Sequence, residues 1–223
     1  MTLQEAIVAR HSVRQYIEKP IEAEIIEQLN EEIALCNQEG KLHIQMVTDE
    51  PKAFAGGMAK YGKFSGVSNY LAMVGPKGAD EAIGYYGERL VLLAQTLGLN
   101  SCWVGLSFKK QPNQYKIADG EKLHCVISLG YGANQGVQHP MRPMEKFIKA
   151  NKPMPDWFKC GMEAVLLAPT AVNQQKFEFE LIDDHTVAAR TRFTLIGYGQ
   201  MDLGIAKYHF EVGAGKENFK WKE

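Results

Sequence analysis

Arg10-His11-Ser12-Val13-Arg14 near the amino end and Ala168-Pro169-Thr170-Ala171-Val172-Asn173-Gln174-Gln175 near the carboxyl end are the stretches that decide how this chain is read. The first sets a guanidinium, a hydroxyl and a second guanidinium at alternating positions. In an extended segment residues i, i+2 and i+4 point to one side, so Arg10, Ser12 and Arg14 would converge on one anionic ligand. Guanidinium grips phosphate well, with paired hydrogen bonds. The second stretch reads as a helix end, with a proline after an apolar run, followed by a polar loop. That loop offers two amides and a hydroxyl, which suit the edge of a heterocycle. Neither stretch is specific by itself: R-x-S-x-R matches many solvated basic loops, and N-Q-Q is commonly a polar turn.

Around these stretches the composition is that of an ordinary globular chain, with 223 residues, 45% hydrophobic and 23% charged. That is enough for one large domain or two small ones. A net charge of -1 and a pI near 6.6 give no reason to expect nucleic acid or an anionic membrane as partner. Nothing approaches the apolar length of a membrane span, and the first residues lack the layout of a signal peptide, so a cytoplasmic location is expected. Cys36, Cys102, Cys125 and Cys160 form no C-x-x-C pair and no metal-finger spacing with histidine. Buried thiols in a reducing compartment are the expectation, with no metal.

Taken in order, residues 3–10 form an amphipathic helical turn, and Pro20 opens a helix carrying Ile21, Ile25, Ile26, Leu29 and Ile33 at helical spacing. Alternation predicts a strand over 42–47. Residues 55–65 read as a Gly-rich connector with room for a helical piece. The continuous apolar run 70–74 predicts a strand buried on both faces. Residues 83–97 form the most hydrophobic helix, expected to be central and ended by Gly98. Strands follow over 100–106 and 123–129, then a loop to Pro143, a short helix at most over 144–148, and a linker over 151–155. The tail reads as a helix over 156–167, a strand over 177–182 and a helix over 196–213. Ile196-Gly197-Tyr198 echoes Ile83-Gly84-Tyr85, and the 177–183 strand echoes 42–48 in the same helix, strand, helix order.

Together the two opening stretches resemble a known family. Arg-His-Ser-Val-Arg-Gln-Tyr ahead of a helix resembles the start of the FMN-dependent nitroreductases, and A-P-T-A-V-N-Q-Q-K-F-E-F resembles their A-P-S-x-x-N-x-Q-P-W/F-x-F segment. The resemblance implies an α+β fold with mostly antiparallel central sheets flanked by helices. It also implies an FMN site that family members typically build between two subunits, one supplying the phosphate grip and the other the ring wall. Here residues 1–150 carry the arginines but have lost the wall, whereas residues 151–223 carry the wall without an arginine pair. The expectation is a fused pseudo-dimer of two unequal halves building one site, the alternative being a homodimer whose tail reaches its neighbour.

The resemblance assigns flavin-phosphate and pyrimidine-edge contacts to Arg10, Ser12 and Arg14, and a ring-contacting basic position to Lys63. It assigns the glycine passage beside flavin N5 to Val104, Gly105 and Leu106, and a return to the phosphate to Arg142. The ring wall falls to Pro169, Thr170, Ala171, Asn173 and Gln175. Gln174 and Lys176 depart from the family's commoner residues. Cys102 and Trp103 are expected in the core, no histidine is given a role, and Met58 and Tyr61 could line a substrate pocket. The implied activity passes hydride from NAD(P)H through FMN to an electron-poor small molecule (nitroaromatic, quinone or flavin), with chemistry centred on the flavin and no catalytic side chain. The rivals are a flavin-cleaving or dehalogenating FMN enzyme and a non-catalytic flavin-binding or structural module. A P-loop or Rossmann protein is disfavoured, because neither glycine motif occurs.

Overall fold

The computed structural model describes residues 1–222. Helix α1 (Leu3–Ala9) is followed by α2 (Ala23–Gly40), strand β1 (Gln45–Val47), short helix α3 (Gly57–Tyr61), β2 (Asn69–Pro76), α4 (Asp80–Thr96), β3 (Asn100–Val104) and β4 (Glu121–Gly130). Then come β5 (Ile148–Ala150), α5 (Asp156–Leu166), β6 (Phe177–Leu181), β7 (Thr186–Thr191), α6 (Gly199–Ala214) and β8 (Lys220–Trp221). The chain forms two compact units that interleave along the sequence. The first holds Ala9–Ala79 and Arg89–Val137; the second holds Met1–Val8, Asp80–Glu88 and the chain from Gln138 onward.

The first unit is built on an antiparallel sheet in the order β1-β2-β4-β3. Its central strand β2 is the apolar run of the sequence, and Tyr70 to Val74 are all buried, as a strand covered on both faces requires. Strand β1 starts later than its alternation suggests. The Asn37 side chain brackets Ile44, accepting from its N–H at 2.7 Å and donating to its carbonyl at 2.9 Å, so the ladder begins only at Gln45. Helix α2 likewise starts at Ala23 and not at Pro20.

The second unit carries the sheet β5-β6-β7-β8, with an antiparallel centre and parallel outer pairs. Strand β6 alternates cleanly: Phe177 and Phe179 point inward, and Glu178 and Glu180 point outward to Arg190, Arg192 and Lys149. Phe179 stacks on Phe210 of α6 at 5.2 Å, and Trp157, Phe158, Phe219 and Trp221 extend this aromatic core. Each such ring removes roughly 150–250 Å² from water, which makes the cluster the main apolar contribution of this unit.

Three strands went unforeseen. β5 and β8 are too short to carry a period, and β7 (T-V-A-A-R-T) has a small-residue run where alternation should be. The last helix begins at Gly199, because Gly197 and Tyr198 take positive φ of 77° and 59°. Ile196-Gly197-Tyr198 is therefore loop, whereas the Ile83-Gly84-Tyr85 that it echoes is helical.

Within the second unit, the first half of α4 and helix α6 touch backbone to backbone. A Cβ on Gly204 would lie 2.0 Å from the Glu81 carbonyl oxygen, and one on Gly84 would lie 2.0 Å from that of Met201. Beside this contact His209 and Glu88 are both fully buried, 2.9 Å apart, and the other His209 ring nitrogen lies 2.9 Å from the Ala164 carbonyl. A carbonyl only accepts, so His209 Nδ1–H donates to it and Nε2 shares a proton with Glu88. Alanine is the better helix former by about 1 kcal/mol, yet Gly204→Ala should destabilise the protein by about 1–3 kcal/mol through overpacking. Denaturant unfolding measures this, and a rise in midpoint would contradict the helix contact.

Candidate functional site

The expected residues fall into two sets, one in each unit. In the first unit residues 10–16 run extended beside β3. Ser12 bridges Ser101 in parallel, Val13 N–H donates to the Ser101 carbonyl at 2.9 Å, and Gln15 bridges Ser65. This backbone gives the alternation the sequence suggested. Val13, pointing the other way, is fully buried in the core cluster. Burial pushes the Cys102 pKa up, while the Arg14 charge, the Ser12 hydrogen bond and the Arg10 charge pull it down. Net, the thiol stays neutral and puts no negative charge among the cations. Tyr16, whose hydroxyl lies 2.8 Å from the Val13 carbonyl and 2.9 Å from Ser128 Oγ, pins the end of the segment. Burial and then the neighbouring Arg10 charge depress the His11 pKa.

The other expected residues of this unit close round the same segment. Arg14 accepts the Ser65 N–H at its carbonyl (3.0 Å), which brings the 62–65 turn alongside. Lys63 lies in that turn, exposed, at φ 60°. Gly62 is pressed against Ser107: an added Cβ would meet Ser107 Cβ at 2.6 Å. The Val104-Gly105-Leu106 passage therefore ends beside the Lys63 turn, with Val104 buried and Leu106 exposed. Among the described residues no carboxylate makes a salt bridge with Arg14 or Lys63. Exposed guanidinium without an acidic partner, a hydroxyl and a second, buried guanidinium fit the phosphate end of FMN. Met58 and Tyr61, exposed on α3, border the same turn.

In the second unit the loop after α5 is folded against the segment that carries Arg142. Gln175 is buried; its amide donates to the Pro140 carbonyl (2.9 Å) and to Asn173 Oδ1 (2.6 Å), and its oxygen accepts from Arg142 N–H (3.3 Å). Asn173 donates to the same Pro140 carbonyl at 2.9 Å, and Thr170 Oγ1 accepts from Gln175 N–H at 3.1 Å. Arg142, Thr170, Asn173 and Gln175 are thus brought together. The two amides expected at a ring edge, however, are turned onto the chain itself, where they shape the loop. Pro169 is buried, and Thr170 and Ala171 are half-buried.

Two residues that carry this loop were not foreseen. Asp202, in the first turn of α6, accepts from Ala171 N–H at 2.9 Å and from the Gln174 amide at 2.7 Å. Gln174 also donates to the Gly197 carbonyl (3.1 Å) and accepts from the Thr194 hydroxyl. Thr194 and Gly197 in turn line a cavity of about 420 Å³ with Arg192, Phe193, Tyr198 and Gln200. The available signal was a single carboxylate in the apolar run Met201-Asp202-Leu203-Gly204-Ile205-Ala206.

Two sheets with antiparallel pairing at their centres and helices packed on them make a nitroreductase-type architecture. The chain belongs to the nitroreductase family, an oxidoreductase family: the family model described as "Putative TM nitroreductase" matches residues 2–214. Among solved structures it is similar to one described as a "putative nitroreductase" from Thermotoga maritima, with a TM-score of 0.67 and 20% identity, covering 97% of this chain and 85% of that one. A "putative nitroreductase in complex with FMN" from Desulfovibrio desulfuricans gives 0.51 and 16%, covering 70% and 99%. Nitroreductase A from Vibrio parahaemolyticus gives 0.52 and 15%, covering 70% and 78%. At such identities these likenesses speak for the fold. No curated protein matches the chain.

The loop itself is strained. Val172, Asn173 and Gln175 take φ of 46°, 55° and 48°, and a β-branched residue there is an outlier. Val172 is exposed and contributes little packing. Val172→Gly should therefore raise stability by about 0.5–1 kcal/mol, the relieved left-handed cost exceeding the added chain entropy. A lowered unfolding midpoint would show that the loop is not strained at this position.

Proposed function

We propose that this chain is an FMN-dependent oxidoreductase that draws reducing equivalents from NAD(P)H and passes them to an electron-poor small molecule, a nitroaromatic, quinone or free flavin. One observation carries the reading: Arg10, Ser12 and Arg14 lie on one extended segment beside β3, and exposed Arg14 has no acidic partner among the described residues, in a chain of the nitroreductase family. The FMN complex described for the Desulfovibrio relative supports the same cofactor here.

Arg10, Ser12 and Arg14 would take the phosphate, and Lys63 with the backbone of Val104, Gly105 and Leu106 would border the ring. Arg142 and the loop of Pro169, Thr170 and Ala171 would supply further flavin contacts, with Asn173 and Gln175 holding that loop in shape. Bound FMN would supply the hydride-transfer chemistry. The protein's own share is electrostatic: fixed cations and backbone donors favour an anionic ligand and negative charge developing beside them. No side chain is assigned a proton-transfer role.

A partial internal duplication is part of the proposal. Between α2 and α4 lie two antiparallel strands, β1 and β2, with the short helix α3 in their connection, and between α5 and α6 lie two antiparallel strands, β6 and β7. That shared antiparallel pair between two helices supports a fused pseudo-dimer, for which one FMN per monomeric chain is expected; one per chain in a tight dimer would favour the homodimer.

Losing a charged hydrogen-bonding partner costs about 1.5–3 kcal/mol, so Arg14→Ala should weaken FMN binding about 10–100-fold. Quenching of flavin fluorescence on titration measures it. An affinity equal to that of the unaltered chain would remove the phosphate assignment. A chain that purifies yellow but is not bleached by NADH or NADPH under anaerobic conditions would be a flavin-binding module instead of an enzyme.

A further inference from the structure

No aspartate or glutamate occurs in residues 51–79 or 89–118, and the first unit folds parts of these two acid-free stretches against each other. The Lys109 N–H donates to the Ala53 carbonyl at 2.8 Å, which lays the 107–111 loop along the turn that carries Lys52. Gly62, at the end of α3, is pressed against Ser107, so the same loop flanks Lys60 and Lys63. Lys52, Lys60, Lys63, Lys109 and Lys110 are all exposed. None of their ammonium groups makes a salt bridge or hydrogen bond among the described residues. The nearest acids in the chain are turned away. Glu50 is buried on the N–H groups of Lys52 and Ala53, and Asp49 lines a groove with Glu18 and Lys19. Tyr61, 85% exposed, sits in the chain between Lys60 and Lys63.

Exposed ammonium groups around an exposed ring suit a phosphorylated purine nucleoside: the base stacks on the ring and the phosphate meets the cations. In Rossmann-type sites an acid takes the ribose 2′-hydroxyl of NADH, whereas a cation takes the 2′-phosphate of NADPH. The electrostatics behind that choice hold on any scaffold, and this surface offers the cations. We propose that the lysine patch of α3 and the 107–111 loop receives the 2′-phosphorylated adenosine of NADPH, and that the chain thereby prefers NADPH to NADH as reductant. The inference rests on the proposed oxidoreductase function, in which Lys63 and the Val104-Gly105-Leu106 passage border the flavin ring. Lys109 and Lys110 continue the same loop beyond Leu106, which puts the patch next to that border.

Calorimetric titration of the flavin-free full chain with adenosine 2′,5′-bisphosphate and with 5′-AMP isolates the 2′-phosphate. The bisphosphate should bind about tenfold more tightly, as a few exposed ion pairs allow, and the difference should shrink as salt rises. Replacing Lys60, Lys109 and Lys110 together by Ala, all on the surface, should bring the two ligands close to equal affinity. Arg14→Ala, in the proposed flavin-phosphate grip, should keep the difference. In the FMN-loaded chain the same triple substitution should lower kcat/KM for NADPH about tenfold through KM and leave NADH kinetics as they were. Equal affinities in the unaltered chain, or a difference that Arg14→Ala removes and the triple substitution keeps, overturn the proposal. A loaded chain that oxidises NADH and NADPH alike would refute this inference and leave the oxidoreductase reading standing. A chain that separates the two nucleotides yet holds no FMN would refute that reading and leave the lysine site.

Discussion

Each acid buried in this protein must find its donors inside the protein, and those searches fix the geometry of the rest. An unpartnered buried charge costs far more than any single packing contact returns. Glu50 finds the N–H groups of Lys52 and Ala53 and so makes the turn over 51–54. Glu88 finds His209, which ties α6 to the first half of α4. Glu211 takes the Tyr85 hydroxyl and the Trp221 indole, setting β8 beside the aromatic core. Asp202 takes a loop. Four carboxyls thus determine a turn, a helix pair, an edge strand and the region with the most unusual backbone in the chain.

The two units solve the burial problem differently. The first hides an aliphatic strand between layers, with Leu71, Ala72, Met73 and Val74 wholly covered. The second alternates phenylalanines with glutamates along β6, so one face is an aromatic core and the other an ion-pair ladder. The ladder is exposed and adds little stability; it keeps the outer face soluble while the rings do the packing.

Much of this was legible in the residues. The apolar run 70–74 and the helix closed by Gly98 announced themselves, because period and terminator agree. R-x-S-x-R gave the alternation of the 10–16 segment, with Val13 buried and Arg14 exposed, since alternation survives wherever the backbone is extended. Short edges were not legible: β5 and β8 are held by neighbours far off in sequence and carry no pattern of their own. Nor was the use of Asn173 and Gln175 legible. An amide looks the same whether it faces a ligand or the Pro140 carbonyl, and only the fold decides which. Asp202 was hidden for a related reason, as one acid in an apolar helix start acquires meaning only once the loop it holds is in place.

The four cysteines differ sharply in surroundings. Cys36, Cys102 and Cys125 are buried, burial pushing the Cys36 thiol up to about 12, whereas Cys160 stands exposed on α5. Since only a thiolate reacts, a maleimide dye offered to the folded protein would settle almost wholly on Cys160. The chain therefore carries a natural attachment point for a spectroscopic reporter, on the helix that leads into the strained loop, with no cysteine to add or remove.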